Sequence, residues 1–219
     1  MTKFTGQTDD NMVYMKGQAI MRDSRYNNTH FADCTQQEIS RCERISASQH
    51  PNLARYLGVE TKKIGDEDRV TRLAYRRYSM DLNEFVLMKR LLKARHVAFL
   101  MKGIESGMRH LHKLGLVHCD LRPMNVFVTF EKSRNKVVLK EVVIGDFDAS
   151  VKIGEKVSLK RASNDWWPSD AKWGVKAEPW IDEWCLNKIG KWLEEDGLGI
   201  WEFNGQEDDT VVIGTNVAW

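Results

Sequence analysis

Apolar side chains at Val97, Leu100, Met101, Ile104, Met108 and Leu111 recur at three- and four-residue spacing. That is the period of one helix face, and it predicts a helix over Leu91–His112 with a single buried stripe, closed by Gly115. Downstream the pattern changes. Val126–Phe130, Val137–Leu139 and Val142–Ile144 are apolar and β-branched and read as strands, with the charged stretch Glu131–Lys136 as the turn between the first two. No apolar run approaches the roughly 20 residues a bilayer span requires, and Met1–Gly6 opens no secretory signal, so no membrane association is expected.

Composition narrows the class. With 219 residues, 42% of them hydrophobic, the chain has enough apolar surface for one sizeable core or two small lobes. A net charge of +2 gives no field that would draw a polyanion, so nucleic acid is not an expected partner. Cys34, Cys42, Cys119 and Cys185 lack C-x-x-C spacing, which argues against a zinc site or a disulfide framework. Free thiols in a reducing interior follow, and with them a cytoplasmic or nuclear location.

Two short stretches carry the chemistry. Val117-His118-Cys119-Asp120-Leu121-Arg122-Pro123-Met124-Asn125-Val126 is followed by Ile144-Gly145-Asp146-Phe147-Asp148. A loop between strands can point one carboxylate at an acceptor while an amide and a second carboxylate reach a metal. Pro123 fixes its own φ and biases Arg122 toward extended backbone, which suits a rigid loop and opposes a helix. An ordinary hairpin carrying chance acids is the alternative. Taken in order and joined by strands, the two stretches resemble the catalytic loop and metal-binding turn of protein kinases.

That resemblance implies roles for residues along the whole chain. Asp120 would be the base, Arg122 the cation beside the transferred phosphate, and Asn125 and Asp146 the magnesium or manganese ligands. Val13-Tyr14-Met15-Lys16 resembles the kinase strand whose lysine contacts the ATP phosphates, and Gln37-Glu38-Ile39-Ser40 resembles the start of the helix whose glutamate braces it. Lys16 and Glu38 are the pair, with Glu43 the rival to Glu38. Leu73–Phe85 is similar to the strand, hinge and short helix joining kinase lobes, so the adenine would meet the backbone of Arg76, Arg77 and Tyr78, with Tyr75 guarding the space behind it. An exposed basic edge strand through Arg69, Arg72, Arg76 and Arg77 is the competing reading. His50–Val59 resembles the H-P-N turn and its strand, and Asp182–Gly190 the large-lobe helix whose aspartate braces the catalytic loop, with Trp184, Ile189, Trp192 and Leu193 as its stripe. His110 and His112 read as polar neighbours at a helix end.

The pattern also departs from the family. No G-x-G-x-x-G precedes Lys16, so the phosphate-covering loop is missing or reduced to a hairpin around Gly6. Cys119 stands where an arginine reads a phosphorylated activation loop, and Arg122 replaces the usual lysine. Asp148 replaces the glycine of D-F-G, and a cap on the next turn is its expected task, with a place in the metal sphere as the alternative. Trp166–Ser169 and Ala177–Pro179 match the A-P-E signal poorly. The chain ends at Trp219, short of the helices that dock protein substrates, a pattern similar to short kinase-like proteins of filamentous fungi.

The fold expected is α+β, a two-lobed protein-kinase-like fold in one domain over 1–219. A reduced N-lobe and hinge would occupy 1–78 and a truncated helical C-lobe 79–219, with no role assigned to 198–219. The expected function is ATP- and magnesium-dependent transfer of phosphate to a hydroxyl, on a protein Ser/Thr, on the chain itself or on a small molecule. The competing function is a pseudokinase, a nucleotide-binding or regulatory module without turnover.

Overall fold

The structure is a computed structural model, and it describes residues 1–6, 11–17, 28–88, 92–133 and 136–198. A small three-stranded antiparallel sheet comes first, built from β1 (Val13–Gly17), β2 (Tyr56–Ile64) and β3 (Glu67–Arg76) in the order β1-β3-β2. Helix α1 (Asn28–Ser46) packs on it through Cys42 and Ile45. Since β3 lies between its two partners, the basic edge-strand reading of Arg69 to Arg77 is overturned: Leu73, Ala74 and Tyr75 are buried in the centre of the sheet. Glu38 sits in the middle of α1 rather than at its start.

Residues 1–6 do not form a hairpin over the cleft. They run beside β2 instead, where Phe4 N–H donates to the Val59 carbonyl and Val59 N–H to the Thr2 carbonyl, both at 2.9 Å. Gly58 makes this approach possible. Its φ is +127°, and a Cβ there would stand 2.8 Å from the Phe4 nitrogen.

The larger part begins with β4 (Met80–Asp81) and α2 (Leu82–Leu87), which Asp81 caps through its side chain, then α3 (Ala94–Lys113). The described helix α3 starts at Ala94, and its stripe of Val97, Leu100, Ile104, Met108 and Leu111 is buried as its spacing requires. After β5 (Leu116–Val117) the chain enters the loop over 118–125. β6 (Val126–Ser133) and β7 (Lys136–Ile144) then pair antiparallel, so that Val137–Leu139 and Val142–Ile144 are one strand; Arg134 and Asn135 lie outside the described residues. β8 (Val151–Lys152) pairs with β5, and α4 (Pro179–Trp192) closes the described chain with a wider turn over Leu193–Leu198. The buried positions of α4 are Ile181, Asp182, Cys185 and Ile189, with Leu193 just beyond, while Trp184 and Trp192 are only partly covered, so the stripe is displaced from the one read in the sequence.

Asn52 ties the small sheet to this larger part. Its side-chain N–H donates to the Val142 carbonyl at 2.9 Å, and the Ile144 N–H donates to the Asn52 carbonyl at 2.9 Å. Helix α3 reaches this turn because Gly107 has no side chain: a Cβ there would stand 2.5 Å from the Asn52 carbonyl oxygen. Backbone on both sides leaves no compliant group to yield. Gly107→Ala is expected to lower unfolding stability by about 1–3 kcal/mol, the range for overpacking a close contact, despite alanine's better helix propensity. Urea denaturation checks this, and a midpoint equal to or above that of the native chain would show that the contact is slack.

Candidate functional site

The catalytic loop is held from beneath by a carboxylate. Asp182, fully buried on α4, accepts from the backbone N–H of His118 at 2.7 Å and of Cys119 at 3.0 Å, and His112 Nε2 lies 2.9 Å from the same side chain. Cys119 adopts φ 62°, a left-handed conformation uncommon for a side-chain-bearing residue, and these bonds hold it there. His118 completes the support: Nε2 donates to the Gly145 carbonyl at 3.0 Å, and Nδ1 accepts from Asp120 N–H at 3.2 Å. His110 lies 2.7 Å from the Ser48 carbonyl. Both helix-end histidines therefore serve structure.

Asp120 is almost wholly buried, and neither of its carboxylate oxygens has a hydrogen-bond partner. Arg122 Nε stands 3.0 Å from Oδ1 as an ion pair whose angle does not make a hydrogen bond. Burial holds the Asp120 carboxyl above its ordinary range, against the pull of Arg122. Such an oxygen is free to accept a proton. Arg122 is extended, as the proline after it requires, but Pro123–Asn125 then forms a single 3-10 turn with Pro123 at its first position, where a missing N–H costs nothing. The expectation that proline would exclude helical geometry is corrected on that point. The turn carries Asn125 back so that its Nδ2 donates to the Asp120 carbonyl at 2.8 Å, leaving its amide oxygen as an acceptor in the cleft.

Lys16 gathers the remaining acids. Its ammonium donates to Glu38 at 2.8 and 2.9 Å and to Asp146 Oδ1, and stands 3.7 Å from Asp148. Burial works against the ammonium, but Asp146, Glu38 and Asp148 outweigh it and hold Lys16 well above its ordinary value. Burial likewise opposes the Asp146 carboxylate, and Lys16 and Lys160 overcome it, leaving Asp146 below the usual range. Glu43, the rival brace, lies elsewhere and accepts from the Thr2 backbone and hydroxyl. Glu38, Asp146 and Asp148 each offer an oxygen within 4.8 Å of the others. Hard oxygen donors of this kind, with the Asn125 amide nearby, suit a small divalent cation. Asp148 does not cap the turn that follows: its two oxygens accept from Lys160 at 2.7 and 2.6 Å, because a full cation is within reach and a backbone N–H is a weaker partner.

A cleft of about 460 Å³ opens above these groups, lined by Tyr14, Ala54, the Arg76–Tyr78 strand end, Met124 and Phe127 together with Lys16, Asn125 and Asp146. Its back wall is Tyr75. The phenol is buried and donates to Glu38 Oε1 at 2.7 Å, with Cys42 Sγ 3.2 Å away. The Arg76 side chain forms a bidentate pair with Glu141 at 2.9 and 2.8 Å, and the Arg77 guanidinium donates to the Val13 carbonyl at 2.9 Å. Among the described residues, the Tyr78 N–H has no backbone partner.

Of the residues singled out in the sequence, Lys16, Glu38, Tyr75, Arg76, Arg77, Tyr78, Asn125 and Asp146 line this cleft, while Asp120 and Arg122 pair with each other in the adjoining loop and Glu43 lies elsewhere. Sequence reasoning missed three features. Tyr14 falls on the cleft face with Lys16, which the period of two along a strand could have revealed. The Tyr75 hydroxyl and Lys160 gave no signal, since their partners lie 37 and 12 residues away through paths no periodicity records. Among the described residues, Cys34, Cys42, Cys119 and Cys185 form no disulfide. Among the described residues, no helix is long and apolar enough to cross a membrane.

Comparison with known proteins agrees with this geometry. Residues 3–170 match the family model described as protein kinase domain. The chain is 30% identical over 100 residues to the serine/threonine-protein kinase/endoribonuclease ire-1 of Caenorhabditis elegans, covering 45% of this chain and 10% of that protein. It is 30% identical over 97 residues to cyclin-dependent kinase 4 of Mus musculus, covering 43% and 32%. A third relative is the inactive serine/threonine-protein kinase PLK5 of Mus musculus, 36% identical over 67 residues, 31% of this chain and 10% of that one. The chain thus spans only 10% to 32% of the length of these relatives. Among solved structures, a chain of the yeast RNA Pol II CTD kinase CTDK-1 complex superposes with a TM-score of 0.60 at 15% identity, over 84% of this chain and 55% of that one. With a family model spanning most of its length and a cleft lined by Lys16, Asn125 and Asp146, this chain belongs to the protein kinase domain family.

Proposed function

We propose that the chain binds ATP in this cleft and transfers its terminal phosphate to a hydroxyl. The observation that carries the reading is the Asp120 carboxylate, buried, above its ordinary pKa and without a hydrogen bond to its oxygens, in the loop whose Asn125 lines the cleft together with Lys16, Glu38 and Asp146. The Tyr78 N–H and the backbone of Arg76 and Arg77 would receive the adenine, and Tyr75 would close the space behind it. Lys16, braced by Glu38, would hold the phosphates. Asn125 and Asp146 would hold magnesium or manganese, which supplies neutralisation of phosphate charge when bound.

Asp120 orients the acceptor hydroxyl and takes its proton, and the Arg122 guanidinium offsets charge developing on the transferred group. Ser158, Ser163 and Ser169 are exposed on the segment between β8 and α4, so the chain's own serines are acceptors within the proposal, beside a protein or a small molecule. The second reading is a nucleotide-binding module without turnover. It is favoured by Arg122, which stands against Asp120 itself, and by resemblance to a relative named as inactive.

Lys16→Met removes the fixed cation while keeping the stem. ATP affinity is expected to fall about 10- to 100-fold by calorimetry, the scale of one charge-assisted contact. Equal affinity would remove Lys16 from the site. In the native chain magnesium is expected to strengthen ATP binding, and in Asp146→Asn that enhancement should vanish. A metal dependence surviving the substitution would assign the cation to other ligands.

The proton step separates the two readings. Incubation with γ-labelled ATP and magnesium or manganese is expected to label the native chain or an added acceptor, and Asp120→Asn to reduce the rate about 10²- to 10⁴-fold, the range for a general base. ATP binding with no incorporation in either protein would replace the enzyme by the regulatory module.

A further inference from the structure

Asp148 offers an oxygen near those of Glu38 and Asp146, and its carboxylate is also engaged by a lysine from outside the cleft. Both of its oxygens accept from the Lys160 ammonium, which also stands 3.9 Å from Asp146 Oδ2. Lys16 approaches the same Asp148 carboxylate at 3.7 Å, so the turn lies between two cations, one from the small sheet and one from the segment after β8. The Asp148 carboxylate is largely shielded, at 16% exposure, and Lys160 is two-thirds covered. A pair so placed is screened less than one on the surface.

The chain around Lys160 is anchored by a small buried cluster of Val157, Ala162, Trp167, Ala171 and Ala177 against Val117, Val151 and Ile181. From Ile153 to Glu178 there is no helix of more than one turn, and the path is set by scattered bonds such as Val157 N–H to the Val175 carbonyl and Ala177 N–H to the Glu155 carbonyl. It returns to the catalytic loop at Lys160–Ala162. There Ala162 N–H donates to the Cys119 carbonyl at 2.9 Å, and the Arg161 guanidinium lies over the Trp167 and Trp173 rings at 5.0 and 5.9 Å. Cys119 is buried among Val151, Ala162, Trp167 and Ile181, and so offers no cation to an added anion. Helix α1 grips the other side of the turn: Gln37 Nε2 donates to the Ser150 carbonyl at 2.9 Å and Arg41 Nε to the same carbonyl at 3.3 Å. Asp148 is therefore where α1, the metal-binding turn and the returning segment meet.

We propose, resting on the phosphotransfer reading of the cleft, that Lys160 is a positioning residue whose ion pair with Asp148 fastens the 153–178 segment against the turn carrying Asp146, seating it without covalent modification. The ammonium does internally what an added phosphate and a loop arginine would do together: it joins opposite charges across the gap between segment and turn. The orientation is reversed, with the cation on the segment and the anion on the turn. Ordering a segment of this length costs conformational entropy on every residue, and one shielded, doubly bonded pair at its return point adds to the buried cluster in limiting how often it opens.

The test reads opening directly, without nucleotide or acceptor. Limited chymotrypsin digestion reports on Trp166 to Trp173, with mass spectrometry to place the cuts. Cleavage is expected to be about tenfold faster in Lys160→Met and in Asp148→Asn, no faster still in the double variant, and near native in Lys160→Arg, as for one charge-dependent local opening. Phosphatase pretreatment of the native chain is expected to change nothing. Native cleavage rates in both single variants, effects that add in the double variant, failure of arginine to rescue, or loss of protection after phosphatase would each overturn the proposal. Should Lys160→Met fail to fold by circular dichroism, the isosteric Asp148→Asn and the charge-keeping Lys160→Arg carry the same comparison. Since no phosphate transfer is read, loss of the clamp leaves the proposed activity standing, and absence of activity leaves the clamp standing.

Discussion

The Lys16 ammonium is the charge around which the site is assembled. It comes from β1 and meets Glu38 from α1 and Asp146 and Asp148 from the turn after β7, so three separate elements depend on one side chain. Buried carboxylates at this spacing repel one another and would shed their charge or separate without a cation among them. Removing one partner of such a group costs about 3–5 kcal/mol, because the others are left buried and uncompensated. The small sheet and the helical part are therefore joined at the cleft floor by electrostatics. At the back they are joined by Asn52, whose backbone and side chain both bond to β7.

The catalytic loop obeys a different constraint. Its backbone passes through a left-handed residue at Cys119, and its polar groups lie where water does not reach. Asp182 answers both needs with one carboxylate that accepts two successive backbone N–H groups. With the loop fixed from below, Asp120 keeps an ion pair with Arg122 but no hydrogen bond to either carboxylate oxygen. A buried oxygen without a hydrogen bond is costly, and perturbed groups of this kind cluster at functional sites.

Tyr75 links these two systems. Behind the cavity its ring fills space, as its position on β3 implied, and its hydroxyl also holds Glu38 toward Lys16. The wall that limits the cavity thereby positions the acid that pairs with Lys16. A phenylalanine would fill the same volume and leave Glu38 with one fewer donor.

Much of this was legible in the chain itself. The stripe on α3, the strands flanking the catalytic loop, and the set Lys16, Glu38, Asp120, Arg122, Asn125 and Asp146 were readable because local periodicity and fixed spacings record them. What the sequence misdirected was non-local. Arg69 to Arg77 looked like an edge because charge suggests exposure, yet β3 became central once β1 and β2 paired on either side, its arginines being met by partners such as Glu60 and Glu141. Asp148 looked like a cap because its neighbours in sequence offered only backbone. Its partner Lys160 arrives through a segment without periodic pattern, and only the folded path brings that ammonium within 2.7 Å. The sequence by itself determined the elements and singled out the candidate groups, since those are written in spacing. Tertiary structure alone decided which charges meet, since the pairing of buried ions depends on distance in space and on the loss of water around them.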